Sequence, residues 1–352
     1  MDPAVPHGAQ PLHRRDPMTR TTTGWAAYRP GSPLEPFTYS RPDPTANEVE
    51  IQVTHCGACT SDLHLIEGNW GEASQYPQIC GHEVVGRVVR TGSSVANLAP
   101  GQRVGVGWYK GACLACEWCL KGEEQHCPNV VPTCSDGHRG GFADFLTCDA
   151  RFVFAIPEAL PSHVAAPLFC AGQTVFTALL RGTRPEMRVG VLGIGGLGHL
   201  AIQFAAKFGC TVTALSSSYD KRDQAMELGA RYFHTLDPAT LQAQENSLDF
   251  LLITASNDQD WVRAMALLRP HGTLCFAGMP NPVTLDIAAM TYKTLTVSTA
   301  NVGGRHDMLQ MLAFASEHHV WPLVETYPAA QINQALDALR NNEVRYRAVI
   351  EF

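Results

Sequence analysis

The 352-residue chain has no uninterrupted apolar stretch near the eighteen or so residues that a bilayer-spanning helix needs. Its opening, "MDPAVPHGAQPLHRRDPMTR", also lacks the apolar centre of a secretory leader. The chain therefore reads as soluble and cytoplasmic, with no membrane partner. Basic blocks are missing too. Lys and Arg number 26 against 33 Asp and Glu, giving a net charge of −7, and their scatter leaves no electropositive track for a nucleic acid. Charged residues make up 17% and apolar residues 45%, a balance that excludes a disordered chain. No internal repeat is visible. What remains is a globular protein too long for one compact core, so two domains, or one inserted into another, are expected. Residues 1–20, rich in Pro, His and Arg, read as a tail in which Met18 offers an alternative start.

Against this ordinary composition stands "GACLACEWCLKGEEQHCP", residues 111–128. Thiols in the cytosol stay reduced, so dense cysteines there point to metal before disulfides. Cys113, Cys116, Cys119 and Cys127, spaced C-x2-C-x2-C-x7-C, can close a tetrahedron around one Zn²⁺ with no open position. Such a site holds structure and does no chemistry.

A second set of metal-ligand residue types is scattered. "HCGACTSDLH" offers Cys56 and Cys59, "CGHEVVG" offers His82 beside Glu83, and "LFCAGQT" offers Cys170. Two thiolates, an imidazole and a water would make an open, catalytic zinc site. Taken singly, Cys170 reads equally as a packed core thiol and His82 as a hydrogen-bonded loop histidine.

"RVGVLGIGGLGHLAIQFAAKFGCTVTAL", residues 188–215, reads as strand, glycine-rich turn, helix and strand. Gly193, Gly195 and Gly198 match G-x-G-x-x-G in a βαβ context: Gly193 permits the tight turn, Gly195 the close approach of a dinucleotide pyrophosphate and Gly198 close helix packing, with Gly196 and Leu197 in the same cofactor-binding turn. The second strand runs into "SSSYDK". A carboxylate about 4 Å from a 2′-phosphate would repel it by roughly 4 kcal/mol at an effective dielectric near 20. None stands at the strand end. Hydroxyls of Ser216, Ser217 and Ser218 with the Lys221 ammonium predict NADP(H) over NAD, and Asp220 is expected to face water.

Strands and helices alternate from residue 171 to 303. "SLDFLLITAS" reads as a strand, "DWVRAMALLRPHG" as a helix over 260–272, and "TLCFAGM" as a strand. Residues 24–160 are dense in Gly, Pro and short β-branched runs, as in a barrel-like β domain, and the C-terminal segment is expected to return to it.

These residues carry a family resemblance. From about Trp25 to Phe352 the chain resembles the zinc-dependent medium-chain alcohol dehydrogenases, and within them the cinnamyl alcohol dehydrogenase branch of NADP-dependent aldehyde reductases. The motifs are "CGACTSDLH", "GHEVVGRV", the four-cysteine lobe, "APLFCAGQTVFTAL", "GIGGLGHLAIQFA" and "NNEVRYRAVIEF". The resemblance implies an α/β fold: a GroES-like β-barrel catalytic domain (21–170 and 304–352, with the structural zinc lobe) and an inserted Rossmann NADP-binding domain (171–303). It implies two Zn²⁺ per chain, NADP(H), a primary alcohol or aldehyde substrate and a homodimer.

By position, the resemblance implies Cys56, His82 and Cys170 as catalytic zinc ligands, with Cys59 outside the ligand set. It implies Glu83 as a carboxylate able to enter the shell and Asp62 as the group orienting His82. Ser61 becomes the hydroxyl beside the substrate oxygen and His64 the outer end of a proton relay. Thr174 is implied beside the nicotinamide, and Arg347 at the pyrophosphate. Trp70 and Trp108 are expected to line a cleft for flat or apolar aldehydes. Thr60 and Cys80 depart from the family pattern, where a pyrophosphate-holding His or Arg and a proline are usual; Cys80 reads either as quiet packing or as an oxidation-sensitive thiol. Two other readings stand beside this one: a non-catalytic NADPH-binding redox sensor, and a zinc-stabilised interaction protein.

Overall fold

The computed structural model describes residues 20–255, 259–280 and 282–352; of the expected tail, residues 1–19 lie outside the described residues, and Arg20 already begins a strand, Arg20–Ala26. The Gly- and Val-rich runs of the first part build a seven-stranded sheet. Its order is Val324–Pro328, Arg347–Glu351, Glu48–Ala58, Glu83–Thr91, Arg103–Val106, Phe154–Ala155, with Phe145–Asp149 also pairing with Glu48–Ala58. Strand Glu48–Ala58 is the axis. Its first half pairs with Phe145–Asp149, its end from His55 to Ala58 pairs antiparallel with Arg347–Glu351, and Glu83–Thr91 runs along it. The last strand of the chain thus completes a sheet begun three hundred residues earlier.

Between these flanks lies a parallel six-stranded sheet in the order Tyr232–Thr235, Thr211–Ser216, Arg188–Leu192, Leu248–Ile253, Leu268–Phe276, Thr296–Thr299. Counted along the chain this is 3-2-1-4-5-6, the doubly wound order whose reversal opens a crevice at the carboxyl ends of the first and fourth strands. Val189, Val191, Leu251 and Leu252 are fully buried, as strands covered by helices on both faces require.

Two expectations change. The helix read over 260–272 ends at Ala266, and Leu268 to Gly272 already belong to the next strand. Leu268 pairs with Leu248 across a bulge, and burial of Leu268 outweighs the helical spacing. The second concerns hydropathy. Helix Ser162–Gly182 is long and apolar enough by composition to cross a membrane, with mean hydropathy 1.4, although Gln173 and Thr174 break its apolar run in the sequence. Inside the protein 83% of that window is buried. Phe169 packs on Phe154 and Phe176 on Phe204, so it is a core helix between the two sheets.

His199, on the helix Gly198–Lys207 that follows the glycine-rich turn, ties that turn to the C-terminal part. The Leu323 amide donates to its Nε2 at 3.2 Å, so Nδ1 carries the proton and donates to the Gly195 carbonyl at 2.9 Å. Tyr346 stacks on the ring at 4.8 Å. Burial pushes its pKa down to about 3. A folded value below the ordinary 6.5 means the unfolded chain binds the extra proton, so this stabilisation is complete above pH 6.5 and is lost as pH falls toward 3. The urea midpoint of wild type should therefore fall more steeply between about pH 6.5 and 4.5 than that of His199→Asn; parallel curves would refute it.

Candidate active site

The strand Glu48–Ala58 runs straight into the helix Thr60–Glu67, and the junction decides which thiol meets the other metal-ligand residues. Cys59 is the helix N-cap, and its amide donates to Asp62 Oδ2 at 2.9 Å. This turn directs the Cys59 sulfur to within 4.0 Å of the Cys170 sulfur. Ligand atoms of Cys59, His82, Glu83 and Cys170 all lie within 4.8 Å of one another. Cys56 is not among them. It sits inside the strand, fully buried, with its thiol on the Gly57 carbonyl at 3.6 Å, and burial pushes that thiol well above its usual range. The expectation that Cys56 is the ligand and Cys59 is not is therefore corrected. Both cysteines fit the local spacing, and only the strand-to-helix turn separates them. The readable signal was Cys-x-x-Asp, a capping pattern that places Cys59 at a helix start.

Cys170 reaches the cluster from a widened, π-helical turn at Leu168–Gly172 in the core helix, a distortion frequent at functional sites. The hydrogen bond from Cys170 holds the Cys59 thiol well below the usual range and raises Cys170 in turn. His82 is fully buried, and its Nδ1 lies 3.0 Å from Asp62 Oδ1, which also accepts from the Gly81 amide at 2.8 Å. Asp62 thereby sets the tautomer and leaves Nε2 buried without a partner. Cys134, not anticipated from sequence, lies 3.9 Å from the same Nδ1. Cys80 is buried, its thiol raised well above the ordinary range chiefly by burial, which makes quiet packing the fitting description.

Glu83, next to His82, forms an ion pair with Arg347, both buried. Burial raises the Glu83 carboxyl to about 7 although Arg347 opposes it. Its Oε2 has no hydrogen-bond partner. A Cβ added at Gly196 would meet Arg347 Nη1 at 2.7 Å. One guanidinium therefore spans the cluster and the glycine-rich turn.

At that turn Gly193 takes φ +97°, a left-handed conformation, and a Cβ on Gly198 would lie 1.9 Å from the Gly193 carbonyl. Around Gly195 nothing lies within 4 Å of such a Cβ, leaving a cradle that suits close approach of a ligand. At the end of strand Thr211–Ser216, Ser216 is buried while Ser217 and Ser218 are exposed. Lys221 reaches back to the Ile194 carbonyl at 2.9 Å. Asp220 is exposed, as expected, but is held by Ser218 and by Arg345. Thr174 is buried in the core helix; Ser61 is half-buried and Thr60 exposed in the first helix. His64 stacks on Trp70 at 5.4 Å, and Trp108 packs edge-on against His82 at 4.5 Å and against Trp70 at 5.8 Å.

The second cysteine cluster is local. Ligand atoms of Cys113, Cys116, Cys119 and Cys127 lie within 4.8 Å of one another. Amides of Cys116 and Asn129 donate to the sulfurs of Cys113 and Cys127 at 3.4 and 3.3 Å, and the backbone amides of Ala115 and Cys116 hold the Cys113 thiol down to about 6. Glu124 ties this lobe to the helix Arg305–His318, accepting from the Arg305 amide at 3.0 Å and from its Nε at 2.7 Å.

Four converging thiolates suit Zn²⁺ in a closed site, and two thiolates with an unpartnered buried imidazole nitrogen suit it in an open one. Comparison with known proteins agrees with these donor sets. The model of an alcohol dehydrogenase GroES-like domain matches residues 45–158, and that of a zinc-binding dehydrogenase matches residues 196–317. An aldehyde reductase of Synechocystis is 38% identical over 331 residues, covering 93% of this chain and 97% of that protein. Cinnamyl alcohol dehydrogenase 2 of Arabidopsis thaliana is 38% identical over 341 residues, covering 93% and 90%. Among solved structures, a cinnamyl alcohol dehydrogenase from Sorghum bicolor superposes with TM-score 0.91 at 39% identity, covering 94% of this chain and 98% of that one. One from Helicobacter pylori, complexed with NADP(H), has TM-score 0.87 at 29% identity, covering 95% and 99%.

Elemental analysis separates the two thiols. Purified Cys59→Ala should hold about one zinc per chain fewer than wild type, while Cys56→Ala should keep the wild-type content and lose about 1 kcal/mol of stability from its core. The reverse pattern would restore Cys56 as the ligand.

Proposed function

The chain belongs to the alcohol dehydrogenase family built from a GroES-like domain and a zinc-binding dehydrogenase domain, and on that premise we propose that it transfers a hydride between NADP(H) and a primary alcohol/aldehyde pair, aromatic aldehydes included. One observation carries this reading. The Cys59, His82 and Cys170 cluster and the glycine-rich turn are joined through Arg347, which pairs with Glu83 and lies against Gly196. An electrophilic metal site and a dinucleotide site are thus held at one crevice. The relatives are named aldehyde reductase and cinnamyl alcohol dehydrogenase, and the Helicobacter pylori relative was solved with NADP(H).

When bound, Zn²⁺ supplies a Lewis acid for a carbonyl oxygen and NADPH supplies the hydride. The residues of this chain do the rest. Cys59 and Cys170 would hold the metal as thiolates and His82 through Nε2, with Asp62 fixing that orientation. Glu83, neutralised by Arg347, stands in reserve beside them. Ser61 delivers the proton that turns the reduced carbonyl into an alcohol. His64, one helical turn further on, exchanges that proton with solvent. Trp70 and Trp108 give the cleft flat apolar walls. Backbone amides from Gly193 to Gly198 and the helix start hold the pyrophosphate, Thr174 packs by the nicotinamide, and Ser216, Ser217, Ser218 and Lys221 take the 2′-phosphate.

Cys113, Cys116, Cys119 and Cys127 of the cysteine lobe would hold a second, structural Zn²⁺. The division of the chain into a catalytic part (21–170 and 304–352) and a nucleotide part (171–303) belongs to the same reading, as does a cytoplasmic homodimer. Strand Thr296–Thr299 ends the parallel sheet, and Val297 and the nearby Tyr292 are exposed there, which supports that edge as the dimer face.

Initial rates of NADPH oxidation with aromatic and aliphatic aldehydes, run beside NADH on zinc-replete protein, test the reaction. Turnover should favour NADPH; absence of turnover would move the protein to the NADPH-sensor reading. Ser61→Ala should lower turnover about a hundredfold while NADPH affinity stays the same. Unchanged turnover would remove Ser61 from proton transfer.

A further inference from the structure

The sequence places three serines and one lysine at the end of strand Thr211–Ser216. The structure adds a second cation from a distant part of the chain. Arg345, two residues before Arg347, points its Nη1 at Asp220 Oδ2, 3.3 Å away, and its Nη2 lies 3.5 Å from the Asp220 carbonyl. The other carboxylate oxygen of Asp220 accepts from the Ser218 hydroxyl. Its backbone is anchored, with the Arg345 amide donating to Glu325 Oε1 at 2.8 Å. The guanidinium is different, being 44% exposed and so free to turn. Lys221 and Arg345 flank the ring of Tyr346 at 5.7 and 5.8 Å. Lys221 already reaches the glycine-rich turn through the Ile194 carbonyl.

Asp220 therefore engages a hydroxyl and a guanidinium, the donor types that suit a phosphate monoester, at the strand end where the adenine ribose of a dinucleotide lies in this topology. We propose that Arg345 is a specificity-determining residue for the 2′-phosphate and that Asp220 is the internal anion it exchanges for that phosphate. This rests on the NADP(H) reading given above and adds two residues to it. A dianion bridged by Lys221 and Arg345 outcompetes one carboxylate, because the planar guanidinium can give two parallel hydrogen bonds to phosphate oxygens. A dinucleotide without the 2′-phosphate leaves the Asp220 and Arg345 pair closed. Discrimination then comes from exchanging one anion for another, and Asp220 sets its threshold.

Dissociation constants measured by nucleotide fluorescence and by calorimetry, with NADPH, NADH and the fragments adenosine 2′-phosphate and adenosine 5′-phosphate, test this without using activity. Arg345→Gln should weaken NADPH and adenosine 2′-phosphate about tenfold and leave NADH within about twofold. Arg345→Lys should recover part of the loss, and Asp220→Asn should tighten NADPH severalfold. Equal weakening of NADPH and NADH by Arg345→Gln would overturn the proposal, as would unchanged binding of both, since each assigns Arg345 a purely structural role. If wild type itself binds NADPH no better than NADH, the NADP(H) reading fails. If wild type prefers NADPH and Arg345→Gln keeps the same preference, only the Arg345 proposal fails.

Discussion

The buried ion pair between Glu83 and Arg347 is the constraint around which the crevice is arranged. Neither charge can be left alone inside the protein, because an unpaired buried charge costs several kcal/mol. Glu83 opens the strand after His82, and Arg347 opens the last strand of the chain. Holding the pair closed fixes the C-terminal strand against Glu48–Ala58, fixes His82 beside the thiols, and sets a guanidinium against Gly196. Cys59 and His82 are encoded more than a hundred residues before the glycine-rich turn, and this contact gives them a common wall.

Support for the site is layered around that pair. Asp62 spends one oxygen on the Cys59 amide and the other on His82 and Gly81, so one carboxylate caps a helix and orients an imidazole. The widened turn at Leu168–Gly172 brings Cys170 in from a helix that is otherwise core packing. His199 fastens the glycine-rich turn to Leu323. Each of these groups acts on two elements at once, which makes the site rigid without adding residues to it.

Legibility from sequence followed distance along the chain. The four-cysteine lobe could be read because its thiols span fifteen residues and local spacing alone brings them together. The glycine-rich turn could be read because strand, turn and helix are contiguous, and Gly193 and Gly198 meet steric demands within one βαβ unit. The Cys56 and Cys59 choice could not be read from spacing, because a strand that becomes a helix within three residues rotates the side-chain direction in a way the C-x2-C pattern does not encode. The helix expected over 260–272 fails for a related reason: Leu268 finds burial against Leu248, a partner twenty residues earlier. Arg345 gave no local signal, since its meaning depends on Asp220, 125 residues before it.

The sequence by itself therefore determined the parts of this protein whose chemistry is local: the closed cysteine cluster, the dinucleotide turn, and the run of serines at the end of its second strand. Tertiary structure decided which cysteine joins His82 and Cys170, that Arg347 lies between the two halves of the crevice, and that Asp220 is met by a guanidinium. The physical reason is the same in each case. A ligand set or a buried charge pair is satisfied by direction and distance in space, and when its members lie far apart in the chain those are fixed only when the sheets close.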